Sequence, residues 1–115
     1  MGFLVKLVVS AIAVIISAYI LPGVYISGIG AALILALVLA LLNAVVRPVL
    51  VLFTFPITIL TLGIFLLVIN AVIILLADFI MGRSFGVDGF LYALIFSLVL
   101  SVISAILDAI FGVGD

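Results

Sequence analysis

Long apolar runs separated by brief turn-forming segments organise this chain. Four of them, roughly Phe3–Leu21, Ile29–Val46, Ile57–Ile80 and Phe90–Phe111, take up nearly all of its 115 residues. A helix rises about 1.5 Å per residue, so about 20 apolar residues cross a hydrocarbon core about 30 Å thick. The pattern therefore predicts an all-α membrane protein with four transmembrane helices, a single polytopic domain over residues 1–115. Turn signals divide the spans: Pro22-Gly23 after the first, Gly28 and Gly30 opening the second, and Arg47-Pro48 ending or kinking it. Met81-Gly82-Arg83-Ser84 ends the third, Gly89 opens the fourth, and Gly112 and Gly114 close the chain. The first run is longer than a signal-peptide core, and Ala18-Tyr19-Ile20 lacks the small-x-small cleavage pattern. It reads as a retained helix.

Val49–Thr61 is apolar yet holds Pro56 and follows Pro48, and it is too short to cross the bilayer twice. It predicts a re-entrant or interfacial connector whose backbone groups are covered by protein or held near the interface. A single kinked helix from Ile29 to Phe55 is the alternative.

Shifting the sequence by 61 positions lays the first hairpin on the second: Val24–Gly28 falls on Phe85–Gly89, Ala32-Leu33-Ile34 on Ala93-Leu94-Ile95, and Leu37-Val38-Leu39 on Leu98-Val99-Leu100. Two tandem helical hairpins follow, a parallel internal repeat if the middle region returns the chain to its starting side. Val24/Ile26 and Phe85/Val87 alternate before a glycine, a short strand signal. Plain extended loops are the simpler expectation there, and a small two-stranded pairing is the other. Lys6 and Arg47 fall at one end of the bundle and Arg83 at the other, so the positive-inside bias puts both termini in the cytoplasm.

Ala32, Ala36, Ala40, Asn43 and Arg47 share one helical face, and their shifted counterparts are Ala93, Ser97, Ser101, Ser104 and Asp108. Both stripes run from small to polar to charged, with opposite signs at the end. Helices in lipid associate through small residues and interhelical hydrogen bonds. The second and fourth helices are therefore expected to pack along these stripes, within or between chains. Arg47 would reach Asp108 or a lipid phosphate near the interface. Asn43 and Asn70 fall inside spans, where an amide seeks a partner on another helix. Ser10 and Ser17 can bond back to their own helix, and Thr54, Thr58 and Thr61 can satisfy backbone groups freed by Pro56.

Composition narrows the chemistry. At 72% hydrophobic and 6% charged residues, with mean hydropathy +2.00, the chain lacks the polar surface to coat a water-soluble globule. It has no Cys, His, Trp or Glu, which removes thiolate and imidazole metal sites and the Cys–His and Ser–His nucleophiles. No enzyme activity and no cofactor are expected. Three scattered cations make no nucleic-acid patch. Neither Asp78 nor Asp108 sits at a span centre, which disfavours a proton-coupled transporter.

The series Asn43-x-x-x-Arg47-Pro48, Pro56, Thr61-Leu62-Gly63 and Asn70 covers the central stretch. With Pro22-Gly23-Val24 and Val87-x-Gly89-Phe90 before the second and fourth spans, it resembles the small four-span bacterial proteins of phage holin family 4, superfamily IV. The resemblance covers nearly the whole chain. It implies a protein of the bacterial cytoplasmic membrane that forms a homo-oligomer and opens pores for a lytic enzyme. The residues themselves point partly elsewhere, because no helix carries a wide polar face to line a large aqueous hole. The alternative is a non-conducting scaffold or envelope-stress protein that organises membrane lipids or another membrane protein.

Overall fold

A computed structural model describes residues 2–112, and within them each of the four apolar stretches supplies one long helix. Gly114 and Asp115 lie outside the described residues. The chain runs α1 (Gly2–Ile20), β1 (Val24–Ile26), α2 (Ile29–Leu41), a π-helical turn (Leu42–Val46), α3 (Arg47–Phe53), α4 (Phe55–Leu60), α5 (Phe65–Met81), a 3-10 turn (Gly82–Ser84), β2 (Phe85–Val87) and α6 (Phe90–Phe111). Four helical stretches of 19 to 25 residues are long and apolar enough to cross a membrane. The longest dimension, 39 Å, fits a bilayer core plus part of its interfaces.

Short turns force consecutive helices to be antiparallel neighbours. Accordingly α1 packs on α2 and α5 on α6, and the two hairpins join through α1 against α6 and α2 against α5. The helices α2 and α6 thus stand across a diagonal. The direct packing of one on the other expected from their small-residue stripes is not the arrangement within this chain. Both stripes instead point inward at one end, where Ala32, Ala36, Ala93 and Ser97 are buried.

That end is closed by a two-stranded antiparallel ribbon, the less expected of the two loop outcomes. Val24 faces Val87, Tyr25 faces Gly86 and Ile26 faces Phe85. Phe85 points into the bundle and meets Phe96 with ring centroids 5.5 Å apart, both fully buried. The Asp78 carboxylate accepts the Val87 N–H at 3.0 Å, so this acidic group braces the ribbon. Gly23 lies against the Tyr92 ring, where a Cβ would come within 2.5 Å of ring carbons.

At the other end, the span boundaries differ from those expected. The second helix does not stop at Val46 but runs unbroken to Phe53, close to the kinked-helix alternative. Pro48 has no N–H and would crowd the carbonyl of Ala44 in a regular helix. The turn just before it widens so that the Arg47 N–H bonds Leu42 O, and the helix continues. The third long helix begins at Phe65 rather than Ile57, because Ile57 belongs to the six-residue α4 that opens with Pro56 in its first turn. Threonine hydroxyls add second bonds at these breaks: Thr54 Oγ1 donates to Leu50 O at 2.7 Å, and Thr61 Oγ1 donates to Ile57 O at 3.0 Å while accepting the Phe65 N–H at 3.2 Å. Both carbonyls already accept a backbone N–H, and Thr58 Oγ1 is buried without a partner among the described residues, so the threonines do not take up the group that Pro56 frees. Gly63 N–H bonds Thr58 O and Leu62 N–H bonds Ile59 O, a Schellman-type close with Leu62 in the left-handed region at φ 57°.

Candidate functional site

Burial is uneven along the bundle, and the site lies where it runs out. Past Ser97, α6 has no buried residue among the described ones, while α1 has none before Val9 and α5 none before Ile69. The helices part toward the connector end and leave two adjoining hollows of about 300 and 110 Å³. They share Leu39, Asn43, Leu100 and Ser101. Lys6 and Ser10 from α1 and Ser104 from α6 line the larger, and Arg47, Asn70 and Ser97 line the smaller. Together they form one crevice, walled by polar side chains from all four long helices.

Two charged contacts border it. Lys6 Nζ pairs with Asp108 Oδ2, and Arg47 Nη1 donates to Asn70 Oδ1. The Arg47–Asp108 pair expected from the stripes is therefore replaced by two other partnerships. The reason is positional: the two residues end diagonal helices, so each meets first the helix standing between them, α1 for Asp108 and α5 for Arg47. The Lys6 and Asp108 side chains are 44% and 20% exposed, so the pair is only partly shielded and its strength is correspondingly modest.

The stripe residues grade along the helices. Ala32 and Ala93 are buried in the packed half, Ala36 and Ser97 are buried yet border the hollows, and Ala40, Asn43, Ser101 and Ser104 line the crevice. Ser97 returns its hydroxyl to Leu94 O at 2.8 Å. Ser10, Asn43, Ser101 and Ser104 make no side-chain hydrogen bond among the described residues. Polar groups in a membrane carry a desolvation cost until something bonds them. The motif divides as well: Asn43, Arg47 and Asn70 meet in the crevice, with Pro48 setting the π turn behind them, while Pro56, Thr61, Leu62 and Gly63 shape the connector.

Sequence reading missed Lys6 as a member of this site. The signal was present, since Lys6, Ser10 and Ser17 follow at spacings of four and seven and so share one face of α1. Of them, Ser17 is buried and bonds back to Ala13 O at 2.7 Å, whereas Ser10 opens onto the crevice. The donor set is ammonium, guanidinium, amide and hydroxyl, with two positive charges against one negative. Among the described residues no cluster of three or more His, Cys, Asp or Glu is placed to hold a metal ion.

Comparison with known proteins fits this architecture. The family model described as mycobacterial 4 TMS phage holin, superfamily IV, matches residues 1–106. The membrane protein YvlD of Bacillus subtilis, described as uncharacterized, is 44% identical over 85% of this chain and 82% of its own. An uncharacterized protein of Streptomyces coelicolor is 37% identical over 99% of this chain and 98% of its own. No solved structure matches. A four-helix membrane bundle with this match over nearly its whole length belongs to the four-span phage holin family of superfamily IV.

Proposed function

We propose that this chain is a non-enzymatic, multi-pass protein of the bacterial cytoplasmic membrane, with both termini in the cytoplasm, acting as a closed bundle that organises lipids rather than as a lytic pore. One observation carries the reading. The axis at the ribbon end is filled by Leu35, Phe85 and Phe96, none of them accessible, so one chain offers no water path from the crevice to the far side. The positive-inside bias supports the orientation, since Lys6 and Arg47 stand at the crevice end and Arg83 at the ribbon end.

The bundle reads as two tandem hairpins in parallel repeat. Supporting this, the Ser27 N–H bonds Ser84 O and the Asp88 N–H bonds Gly23 O, both at 2.9 Å, and each bond maps onto the other when positions shift by 61. Tyr25 and Gly86, opposite each other in the ribbon, are separated by the same 61. The connector reads as interfacial, lying along the inner leaflet. Leu52, Phe53, Phe55, Ile59 and Leu60 are all exposed, and no charged residue occurs between Arg47 and Asp78. Its turns are closed by backbone bonds, Gly63 N–H to Thr58 O and Leu62 N–H to Ile59 O, with the Thr54 and Thr61 hydroxyls adding to them, which suits a lipid surround.

Family membership favours a second reading, a holin-like homo-oligomer that permeabilises the membrane. Purified protein in sealed liposomes separates the two. A closed bundle leaves both protons and a small dye trapped, whereas size-selective dye leakage that scales with protein density favours the holin-like assembly.

A further inference from the structure

The crevice holds more polar capacity than the chain itself uses. Its larger hollow, about 300 Å³, lies at the lower edge of the roughly 300–1,000 Å³ typical of small-molecule sites. It suits a group of headgroup size. At about 1.5 Å per residue, Lys6, Asn43 and Ser104 each stand about 21 Å from the ribbon end of their own helices, so they form one layer. Ser10 and Ser101 lie about 15–17 Å from that end, one layer deeper, and the backbones of Arg47 and Asp108 about 27 Å, at the mouth, from which Arg47 reaches inward to Asn70.

The chemistry of these layers selects a ligand class. Lys6 and Arg47 outweigh Asp108, so the crevice carries a net positive charge and repels a free cation. The Asn43 amide and the Ser10, Ser101 and Ser104 hydroxyls add donors without a partner among the described residues, on three helices around one space. Leu7, Leu39 and Leu100 supply apolar wall between them. Short, spread donors around an anion, next to apolar wall, match a phosphate ester better than a carboxylate clamped by one arginine.

We infer that the crevice is a binding site for a phosphate-bearing anion, most simply the phosphodiester of an anionic phospholipid drawn in from the inner leaflet, held by Lys6, Asn43, Ser101 and Ser104. The inference rests on the closed-bundle reading, since a crevice sealed at its deep end retains a headgroup where a pore would pass it. Phosphatidylglycerol and inorganic phosphate share the chemistry, and competition distinguishes them.

The test is retention of added phosphatidylglycerol by the full chain in detergent, read by native mass spectrometry. Wild-type protein should hold phosphatidylglycerol and release diacylglycerol, which has the same tails without the phosphate. Replacing Asn43→Leu together with Ser101→Ala should lower retention about tenfold, the scale of one or two lost hydrogen bonds. Ser104→Ala, a milder change should the double variant fail to fold, should lower it about threefold. Displacement by millimolar inorganic phosphate assigns the site to a soluble anion, and resistance to it assigns the site to lipid. Equal retention of diacylglycerol, or undiminished retention in Ser104→Ala and the folded double variant, overturns the site. Liposome leakage fails separately: leaking vesicles with phosphatidylglycerol still bound refute closure but keep the site, and tight vesicles with no retention do the reverse.

Discussion

The ribbon half and the connector half of this bundle are built from the same helices yet solve opposite problems. In the ribbon half, Ala32, Ala36 and Ala93 let the helices approach while Leu35, Phe85 and Phe96 fill the axis, and the polar groups are spent on the chain itself, Ser17 on Ala13 O and Asp78 on the Val87 N–H. In the connector half the stripe positions change to Ala40, Asn43, Ser101 and Ser104, and burial gives way to a crevice. Lipid offers no hydrophobic drive for helix association, so packing and hydrogen bonding must hold the bundle together. The packed half supplies the first, and the crevice half leaves part of the second unused. Stability should therefore concentrate at one end and binding capacity at the other.

The largest effect should come from emptying the packed half. Phe96→Ala removes half of the ring pair and should destabilise the protein by about 3 kcal/mol, whereas Leu100→Ala on the crevice wall should cost about 1 kcal/mol or less. Reversible unfolding in mixed micelles measures both, and equal costs would erase the difference between the halves. Next in size is Gly23→Ala, whose new methyl would collide with the Tyr92 ring. It should cost about 2 kcal/mol as an overpacked contact. Tyr92→Ala in the same chain should recover part of that loss, while Gly30→Ala, with open space around it, should be neutral.

A smaller effect is expected at the crevice mouth. Lys6→Met or Asp108→Asn should each cost about 1 kcal/mol, the scale of a partly exposed pair. Exchanging the two, Lys6→Asp with Asp108→Lys, should restore most of it. Exchanging Arg47 with Asp108 should restore nothing, because those side chains meet different helices. The smallest change is Leu62→Gly, which relieves a leucine held at φ 57° and should raise stability by about 1 kcal/mol or less. Melting temperatures rank these variants.

Much of this was legible in the sequence because its causes are local. Apolar run length gave the helices, alternation before Gly28 and Gly89 carried the strand signal although plain loops were the simpler expectation, and the stripe spacing put Ala40 and Asn43 on one face and Ser101 and Ser104 on another. What the sequence hid was which neighbour each face meets. Periodicity names a face, but the diagonal placement of α2 and α6 arises from how two hairpins dock, and it redirects Asp108 to Lys6 and Arg47 to Asn70. The connector was obscured for a different reason. Pro48 reads equally as an end or a kink, and one widened turn absorbs its missing donor and carries the helix to Phe53. Leu62 in a conformation that usually calls for glycine leaves no trace in an apolar pattern.

The asymmetry between the two halves is most directly tested by thiol accessibility, since the native chain contains no cysteine. Ser101→Cys, Asn43→Cys, Ala93→Cys and Ala32→Cys would each be exposed to a membrane-impermeant maleimide on either face of sealed inner-membrane vesicles. Labelling of Ser101→Cys and Asn43→Cys from the cytoplasmic face alone, with both alanine positions silent, is the predicted result. Labelling of Ala32→Cys or Ala93→Cys, or of the crevice positions from the outer face, would contradict it.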